Sequence, residues 1–486
     1  MSGLLADLKR LSASTEVVPL VVDVDGTLLR SDLLIESALR YLRQRPWAIV
    51  DLLRWLVHGK QHLKSGLAEA VDLPVDTLPY DPAVLARIRT ARAEGRPVYL
   101  ASASHRRYVE AIAAHLGPFA GVFATDRTRN LAGARKAEAL VEAFGEHGFD
   151  YIGNDAVDRD VWARCRHALV VAEGGHLLKV TPPGVDGVTV LENLTPPSRG
   201  WLRMLRPHQW SKNLLLFLPL LAAHAFSTES VLTILAGIVA FSLTASTAYV
   251  INDLVDLVED RAHPTKRHRP FASGAVPLQQ GILAIPVLLT AAFLTAATVG
   301  AAFTGLLALY FAATLAYSFV LKHQPLVDVM TLALLYTLRA VAGAVAIQVE
   351  VSPWLLAFCL GLFLCLAIVK RVTEVARTLR GTKTGKVRGY HAEDLQMLAS
   401  FGAASGFSSV LVFALYINTP TVMDLYGSPA LLWAVCLLLL FWVSRILLLA
   451  NRAEVNDDPI VWALSERGSV LTITLAVGTV LAAVYT

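Results

Sequence analysis

The sequence predicts an α/β domain with a mostly parallel sheet, followed by an all-helical bundle that spans a membrane. Three observations predict this class. The composition changes near residue 200, from a mixed polar part to a strongly apolar part. In the first part, short apolar runs alternate with helical stretches rich in Ala, Arg and Glu, which is typical of an open parallel sheet. In the second part, apolar segments recur at close to the ~20 residues that span a bilayer.

The overall composition excludes several classes of protein. Hydrophobic residues make up 55% of the 486 residues and charged residues 17%, whereas soluble domains carry about 25% charged residues. This excludes a disordered protein or a coiled coil. The net charge of +4 is small for this length, so no nucleic acid partner is expected. The four cysteines form no CxxC pair, so neither a disulfide framework nor a zinc site is indicated.

The chain divides into two domains joined by a short linker. We expect the first domain over residues 1–180, a Pro- and Gly-rich linker over 181–200 and a membrane domain over 201–486. The N-terminal residues lack the apolar core of a signal peptide. The first domain is therefore expected to stay in the cytoplasm.

Nine apolar segments follow residue 205, and we expect each to cross the membrane as a helix, because only a helix satisfies every backbone group within one segment. The loops at one end contain Lys or Arg and the alternate loops contain none. The positive-inside rule places the basic loops in the cytoplasm. We therefore expect a multi-pass protein of the inner (cytoplasmic) membrane. The segments are roughly 209–227, 230–254, 277–299, 302–321, 326–348, 354–372, 398–418, 429–450 and 469–485.

A pair of carboxylates follows the first predicted strand, in VPLVVDVDGTLL (18–29). Asp23 and Asp25 stand two residues apart, so they point to one face of the strand. Two carboxylates on one face repel each other, and a divalent cation between carboxylate and phosphate relieves that repulsion. Surface turns often contain the same pair, so other residues must decide between the two interpretations.

Further polar residues follow the next strands along the chain. Ser102 ends a strand, Lys136 opens a helix, and the strand at 151–153 runs into an acidic turn. Together with Asp23 and Asp25 they resemble the haloacid dehalogenase superfamily of phosphatases over about residues 17–175. The resemblance implies that Asp23 is the nucleophile, that Asp25 is the general acid and base, and that both bind Mg²⁺. Ser102 and Lys136 would bind the phosphoryl group.

The last motif departs from that superfamily, in which it usually begins Gly-Asp. Here it reads Gly153-Asn154-Asp155, so the remaining metal ligand is Asn154, Asp155 or Asp158. A neutral ligand would weaken Mg²⁺ binding, and a regulatory or scaffolding domain without activity is the alternative. Residues 31–95 would form a helical cap over the site. Its apolar run 47–57 belongs to the cap core or touches the membrane.

A second acidic motif lies at the end of the second membrane segment, in YVINDLVDLVEDRAHPTKRHRPFASG (249–274). Asn252, Asp256 and Asp260 are spaced by four residues, so on a helix they share one face. Acidic groups beside the membrane interior are costly to desolvate and usually functional. Their hard oxygen atoms suit Mg²⁺ ions that hold a diphosphate. An ordinary charged loop is the alternative.

This second motif resembles the UbiA superfamily of intramembrane prenyltransferases, over about residues 200–486. Further stretches resemble its phosphoribosyltransferase branch, which makes polyprenyl-phosphoryl-5-phosphoribose. The resemblance implies Mg²⁺ as cofactor, phosphoribosyl pyrophosphate (PRPP) as donor and a lipid phosphate as acceptor. The stretches are 206–213, 317–329, 338–344, 369–375, 388–390 and 457–469.

A phosphate-rich donor and an anionic acceptor need many cations. Arg339 lies within the fifth membrane segment and is expected to face a cavity, because it cannot face lipid cheaply. A direct pair with Asp328 is not expected, since eleven residues separate them, or about three helical turns. The candidate substrate-binding residues of this part are Lys212, Asn213, His263, Lys266, Arg269, Tyr317, Lys322, Asp328, Arg339, Lys370 and Arg371.

These observations lead to one preferred function and two alternatives. We expect Mg²⁺-dependent transfer of 5-phosphoribosyl from PRPP to a polyprenyl (decaprenyl-type) phosphate in the bilayer, after which the first domain removes the 5-phosphate. The first alternative is a prenyl transfer to an aromatic or other small acceptor. The second is a transporter, which the clustering of charges at one membrane face disfavours. A homo-oligomer is left open, and Glu374 or residues 391–394 are candidates for a second metal.

Overall fold

The computed structural model describes residues 17–127, 129–172, 189–192, 197–381, 389–455 and 458–485. These residues form two compact units. The first unit takes in the described part of Met1–Leu205 together with Val250–Ala284, and the second takes in Arg206–Tyr249 and the described part of Ile285–Thr486. The units therefore do not follow chain order, because the segment that connects two membrane helices groups with the N-terminal domain.

The N-terminal domain is built on a six-stranded parallel sheet of order β3-β2-β1-β4-β5-β6. In this order β1 pairs with β2 on one side and with β4 on the other. The order in which successive strands are added to the sheet therefore reverses beside β1. Ligands of such sheets bind at the carboxyl ends of the strands, beside that reversal. The predicted parallel α/β sheet is confirmed. Its strands are β1 Leu20–Asp23, β2 Val98–His105, β3 Gly121–Thr125, β4 Asp150–Gly153, β5 Ala168–Ala172 and β6 Thr189–Glu192.

Helices connect the strands, and local sequence signals fix where they begin. Asp32 caps α1 by accepting hydrogen bonds from the backbone N–H groups of Leu34 and Ile35. Asp81 caps α4 in the same way, and Pro82 follows it at a position where no N–H is needed. The helices are α1 Leu33–Gln44, α2 Ile49–Val57, α3 Lys60–Ala70, α4 Pro82–Ala93, α5 Arg106–Leu116, α6 Ala134–Phe144 and α7 Arg159–Trp162.

The first three helices lie in the predicted cap region and have a small apolar core of their own. Tyr41, Ala48, Leu67 and Val71 are its buried members. This core is separate from the clusters that line the two faces of the sheet. Residues 189–192 of the predicted linker form the last strand, and residues 181–188 lie outside the described ranges.

The described residues contain eight helices that are long and apolar enough to cross a bilayer, which fits a multi-pass membrane protein. The sequence predicts nine. The first predicted segment, 209–227, forms a 3₁₀ helix over Pro207–Phe217 and a short helix over Leu218–Ala222 instead. Pro219 lies in the first turn of the short helix, where its missing N–H is not needed. The eight helices are Thr228–Val255, Leu278–Val299, Ala301–Phe319, Val327–Ala346, Pro353–Leu379, Ala392–Ile417, Pro429–Asn451 and Arg467–Tyr485.

Small residues set the close approach of the later membrane helices. A Cβ atom on Gly406 would lie 2.6 Å from a methyl of Val443 and 2.9 Å from the sulfur of Cys365. Ser405 donates a hydrogen bond of 2.8 Å to the carbonyl of Gly361. In lipid, the hydrophobic effect does not drive helices together. Small residues favour helix packing there because they let the backbones come close.

Candidate functional site

Asp23 lies at the carboxyl end of the central strand, where the sheet order reverses. Its carboxylate accepts a hydrogen bond of 3.0 Å from Lys136 Nζ and one of 3.1 Å from Thr27 Oγ1. Lys136 also donates to Asp158, at 2.8 Å. The sheet and α6 thus bring together the predicted nucleophile and the predicted phosphate-binding lysine, although 113 residues separate them in sequence.

The site carries more negative than positive charge. Burial raises the pKa of Asp23 to about 7, and repulsion from Asp158 and Asp25 adds to this effect although Lys136 opposes it. Burial alone would lower the pKa of Lys136, but its salt bridges to Asp23 and Asp158 outweigh burial and raise it. The carboxylates therefore lack sufficient positive charge around them, a deficit that a bound cation would remove.

Asp25 is oriented by two donors. The backbone N–H of Leu33, at the start of α1, donates to it at 2.8 Å, and Ser102 Oγ donates at 2.7 Å. Ser102 itself accepts a hydrogen bond from the backbone of Ser104. The predicted general acid and the predicted phosphate-binding serine are therefore direct neighbours.

The three candidates for the remaining metal ligand occupy different places. Asp158 is buried and bonded to Lys136, to the hydroxyl of Tyr151 and to two backbone N–H groups. The exposed Asp155 accepts a hydrogen bond from the next residue in its own turn. Only the Asn154 side chain reaches the first acidic loop, where its Oδ1 lies 3.1 Å from Thr27 Oγ1.

Gly26 makes room for that asparagine. Its φ of +76° is one that glycine adopts readily, and a Cβ atom there would lie 2.4 Å from Asn154 Nδ2. The loop after β1 can therefore approach Asn154 only because residue 26 has no side chain.

The donors around Asp23 fit Mg²⁺. Within the described ranges, no three His, Cys, Asp or Glu side chains are grouped to hold a metal ion. The two carboxylates of the first motif and the amide oxygen of Asn154 are nevertheless hard oxygen donors of the kind that Mg²⁺ takes. The raised pKa of Asp23, which arises from its burial and from neighbouring carboxylates, is consistent with a cation there.

The cap contributes a residue that the sequence analysis missed. Lys64, on α3, donates a hydrogen bond of 2.6 Å to the carbonyl of Ala103, next to Ser102. Burial lowers the pKa of Lys64, and the charges of Asp25 and Asp32 partly restore it. A cation thus faces the site from the cap. The sequence analysis also missed Thr27, although Thr27 belongs to the motif quoted for the first strand. Lys64 stands in no motif that could have indicated its role.

The second acidic motif is divided between two arginines. Arg269 donates to Asp253 at 2.9 Å and to Asp260 at 2.6 Å, and both aspartates are buried. Asp256 instead lies 3.4 Å from Arg43, which belongs to α1 of the N-terminal domain. The predicted column of Asn252, Asp256 and Asp260 does not lie on one continuous helix, because the membrane helix ends at Val255 and the next helix begins at Leu257. It also omits Asp253.

The basic residues after this motif differ in position. Lys266 lies 3.9 Å from Asp260, within ion-pair distance. The His263 side chain contacts a residue of its own turn, because its Nδ1 lies 3.2 Å from Thr265 Oγ1. Burial raises the pKa of Asp260 even though Arg269 opposes the effect. The oxygen donors of this motif therefore fit a cation as well.

In the second unit, the intramembrane arginine has neutral partners. Arg339 donates to Asn213 Oδ1 at 3.0 Å and to the hydroxyl of Tyr310 at 2.7 Å. Asn213 donates in turn to Ser242 at 2.9 Å. Arg339 is buried among these groups and carries its charge into the helix bundle. Arg339 does not pair with Asp328. The sequence analysis predicts this result.

Asp328 belongs to a second buried network. Arg371 donates to Asp328, to Glu374 and, at 3.2 Å, to the hydroxyl of Tyr317. Tyr390 donates to the other oxygen of Asp328 at 2.6 Å. Arg371 and Asp328 have no exposed surface. The network holds four helical and loop segments together.

The remaining predicted cations of this unit differ in burial, since Lys212 is buried and the other two are not. Lys212 forms an ion pair with Asp458, a residue that the sequence analysis quoted in a stretch but did not single out. Lys370, near the end of its membrane helix, and Lys322, in the short helix Leu321–His323, are both half-buried.

The sequence matches the profiles of two protein families. The profile described as the UbiA prenyltransferase family matches residues 213–465. The profile described as haloacid dehalogenase-like hydrolase matches residues 20–161. Both resemblances inferred from the motifs are thereby confirmed.

Three known proteins illustrate the similarity. The uncharacterized protein y4nM of Sinorhizobium fredii is 38% identical over 456 residues, which cover 93% of this chain and 88% of that protein. A decaprenyl-phosphate phosphoribosyltransferase of Corynebacterium glutamicum is 36% identical over 181 residues, which cover 36% of this chain and 54% of that protein. A UbiA homolog from Archaeoglobus fulgidus bound to GPP and Mg²⁺ has a TM-score of 0.44 and 18% identity, over 58% of this chain and 99% of that one.

Proposed function

Because this chain belongs to the UbiA prenyltransferase family and carries a haloacid dehalogenase-like domain before its UbiA region, we propose that it is a bifunctional enzyme. Its membrane part transfers 5-phosphoribosyl from PRPP to a polyprenyl phosphate and releases pyrophosphate. Its N-terminal domain then hydrolyses the 5-phosphate from the lipid-linked product. Both sites face the cytoplasm at the inner membrane, on the side of the basic loops.

The transferase proposal depends most on the acidic motif at the end of a membrane helix. Asp253 lies in the last turn of that helix, Asp256 directly follows the helix, and Asp260 lies in the next short helix. Arginines partly neutralise all three. The similarity to relatives named decaprenyl-phosphate phosphoribosyltransferase supports PRPP as the donor over an allylic diphosphate. By itself, the second unit buries two cations, Lys212 and Arg339, and a phosphate-rich substrate requires positive charge.

In the transfer, the bond between ribose C1 and the pyrophosphate oxygen breaks and a phosphate oxygen of the lipid bonds to C1. Mg²⁺ held by Asn252, Asp256 and Asp260 would stabilise the departing pyrophosphate. Arg269 and Lys266, which lie beside Asp260, would bind its outer oxygens. The lipid phosphate is already ionised, so no strong base is required, and positioning and electrostatic stabilisation provide the catalysis.

In the hydrolysis, a carboxylate oxygen of Asp23 attacks phosphorus while the bond from phosphorus to the ribose C5 oxygen breaks. Asp25 donates a proton to that oxygen and later takes one from the water that hydrolyses the aspartyl phosphate. Lys136 and Ser102 hold the phosphoryl oxygens. Mg²⁺ held by Asp23, Asp25 and Asn154 would offset the repulsion between phosphate and carboxylate.

The test supplies purified full-length protein in lipid nanodiscs with PRPP, Mg²⁺ and polyprenyl phosphate. We expect mass spectrometry to find polyprenyl-phosphoryl ribose. Asp23→Asn should leave the 5-phosphate on the lipid, and Asp260→Asn should abolish ribosylation. Glu229→Gln is the control, because Glu229 is exposed at the opposite end of the membrane helix that precedes Asp260. No ribose on the lipid with wild-type protein would contradict the transferase proposal, and an unchanged product with Asp23→Asn would contradict the phosphatase proposal.

The family description itself favours a second candidate, a transfer of an isoprenyl chain from its diphosphate to a small acceptor. In that case the N-terminal domain would be regulatory, in keeping with the neutral Asn154. Consumption of an isoprenyl diphosphate, with radiolabelled PRPP staying out of the lipid, would establish this candidate instead.

A further inference from the structure

One helix of the N-terminal domain exposes an unusual amount of apolar surface. Among the described residues 17–172, eight large apolar side chains are more than a third exposed, and six of them lie between Trp47 and Val57. Trp47 is 87% exposed, Val50 66% and Val57 84%. Contiguous exposed apolar surface of this kind marks a site of interaction with a protein or a membrane.

This exposure is not needed for the fold, because α2 has a separate inner side. Leu52 and Trp55 pack against the small core of the cap, and the Trp55 ring stacks on Tyr41 with centroids 5.5 Å apart. Val50, Leu53 and Val57 are spaced by three and four residues and therefore share the outer side. The helix is thus apolar on both sides, and only the inner side contributes to the core.

Basic residues surround the outer side. Arg45, Arg54 and Lys60 are exposed. Between residues 40 and 64 the chain has six Lys or Arg residues and one acidic residue, Asp51, which accepts a hydrogen bond from Tyr41. A helix with Trp, Leu and Val on one side and basic residues at its edges lies in the interface of an anionic bilayer. The charge thus favours anionic lipid over an apolar protein partner.

Contacts within the first unit place this helix near the ends of membrane helices. Gln279, in the first turn of the membrane helix Leu278–Val299, donates a hydrogen bond of 3.2 Å to Asp32 at the start of α1. The twelve residues of α1 extend about 18 Å, and α2 begins five residues after α1 ends. The exposed side is therefore within a few nanometres of the bilayer that the membrane helix enters.

We propose that Trp47 and the outer side of α2 form a membrane-contact surface that inserts its apolar side chains among anionic lipid head groups. The proposal does not depend on the reaction that the protein catalyses. It concerns only the surface of the N-terminal domain and its lipid partner.

The test uses the full chain reconstituted in phosphatidylcholine vesicles, with and without phosphatidylglycerol. Val50→Cys carries an environment-sensitive fluorophore, and Glu110→Cys, at an exposed position on α5, is the matched control. The native cysteines are buried, so wild-type protein taken through the same labelling gives the background. Quenching is measured with a nitroxide attached to lipid and with iodide in water.

We expect the lipid nitroxide to quench the probe at residue 50 several-fold more than the probe at residue 110. Phosphatidylglycerol should increase this quenching. The pair Arg54→Gln and Lys60→Gln should reduce it, whereas the charge-matched pair Arg89→Gln and Arg135→Gln, on other helices, should not. Equal quenching at both positions would overturn the proposal. Protection of the probe at residue 50 from both quenchers would also overturn it, because a second protein surface would then cover the helix.

Discussion

Arg261 and Glu36 form a buried, two-pronged ion pair. Nη1 of the arginine lies 3.0 Å from one carboxylate oxygen and Nη2 lies 2.5 Å from the other, across 225 positions of sequence. Glu36 belongs to α1 of the N-terminal domain, and Arg261 directly follows Asp260 of the second acidic motif. The pair therefore ties the phosphatase-like domain to the segment that carries the proposed diphosphate site.

The ion pair should be strongly coupled. Arg261→Met leaves a buried carboxylate without its partner, and Glu36→Leu leaves a buried guanidinium, so each single variant should lose about 3–5 kcal/mol of unfolding free energy. The double variant should recover most of that loss, since two apolar residues replace both charges. Chemical denaturation of the full chain in detergent measures all three. Additive losses would show that the two residues are not coupled.

Asp25 should be essential for hydrolysis and Asp155 should not. Asp25→Asn removes the group that exchanges protons with the leaving oxygen and water, so the phosphatase rate should fall by about 10²–10⁴. Asp155→Asn is the matched control, because this carboxylate is exposed and accepts a hydrogen bond from Ala156 in its own turn. Release of inorganic phosphate from a phosphate monoester measures both. Equal losses would place Asp155 in the site.

Asn154 should set the affinity for Mg²⁺. Asn154→Asp adds a negative charge beside Asp23, so the Mg²⁺ concentration for half-maximal phosphatase activity should fall. Asn154→Ala removes the amide oxygen and should raise it. Binding of Mn²⁺, followed by electron paramagnetic resonance, separates metal affinity from turnover. If neither variant changes the metal dependence, Asn154 is not a ligand.

Asp150 should make stability depend on pH at the acidic end. Burial alone would raise the pKa of Asp150, but hydrogen bonds from Arg166 and Arg96 outweigh it and hold the pKa below its ordinary value. The stabilisation is therefore present above the unfolded pKa of about 3.9 and is lost as the pH falls through the folded pKa.

Asp150→Asn should consequently be about 1.5–3 kcal/mol less stable than wild type at neutral pH. The difference should shrink below about pH 4. Unfolding of the full chain in detergent at a series of pH values measures it. Asp160→Asn, at an exposed position, should follow the wild type throughout. A difference that stays constant down to the most acidic pH would contradict the assignment.

The first site could be predicted largely from sequence because its residues stand at the ends of strands. In a parallel sheet those ends meet at one edge, so Asp23, Ser102 and Asn154 converge whatever the loops between them do. Lys64 could not be predicted in this way. Lys64 reaches Ala103 because the cap packs over that end of the sheet. No spacing in the sequence predicts this position of the cap.

The second motif shows a different limit. Helical spacing predicts that Asn252, Asp256 and Asp260 share one face. It does not predict which acidic residues form ion pairs with the arginines. Arg269 takes Asp253 and Asp260, and Arg43 arrives from a domain more than 200 residues earlier in the chain. Such partners depend on tertiary packing, for which hydrophobic periodicity carries no information.

Val250–Ala284 groups with the N-terminal domain although it lies within the membrane part of the sequence. This grouping affects what happens when the two parts are expressed as separate chains. Cutting the gene at the linker would place Glu36 and Arg261 on separate polypeptides and expose to water two side chains that are 2% and 3% exposed in the full chain. The two polypeptides would have to associate again through this pair to keep the segment beside the N-terminal domain. Covalent fusion removes that requirement.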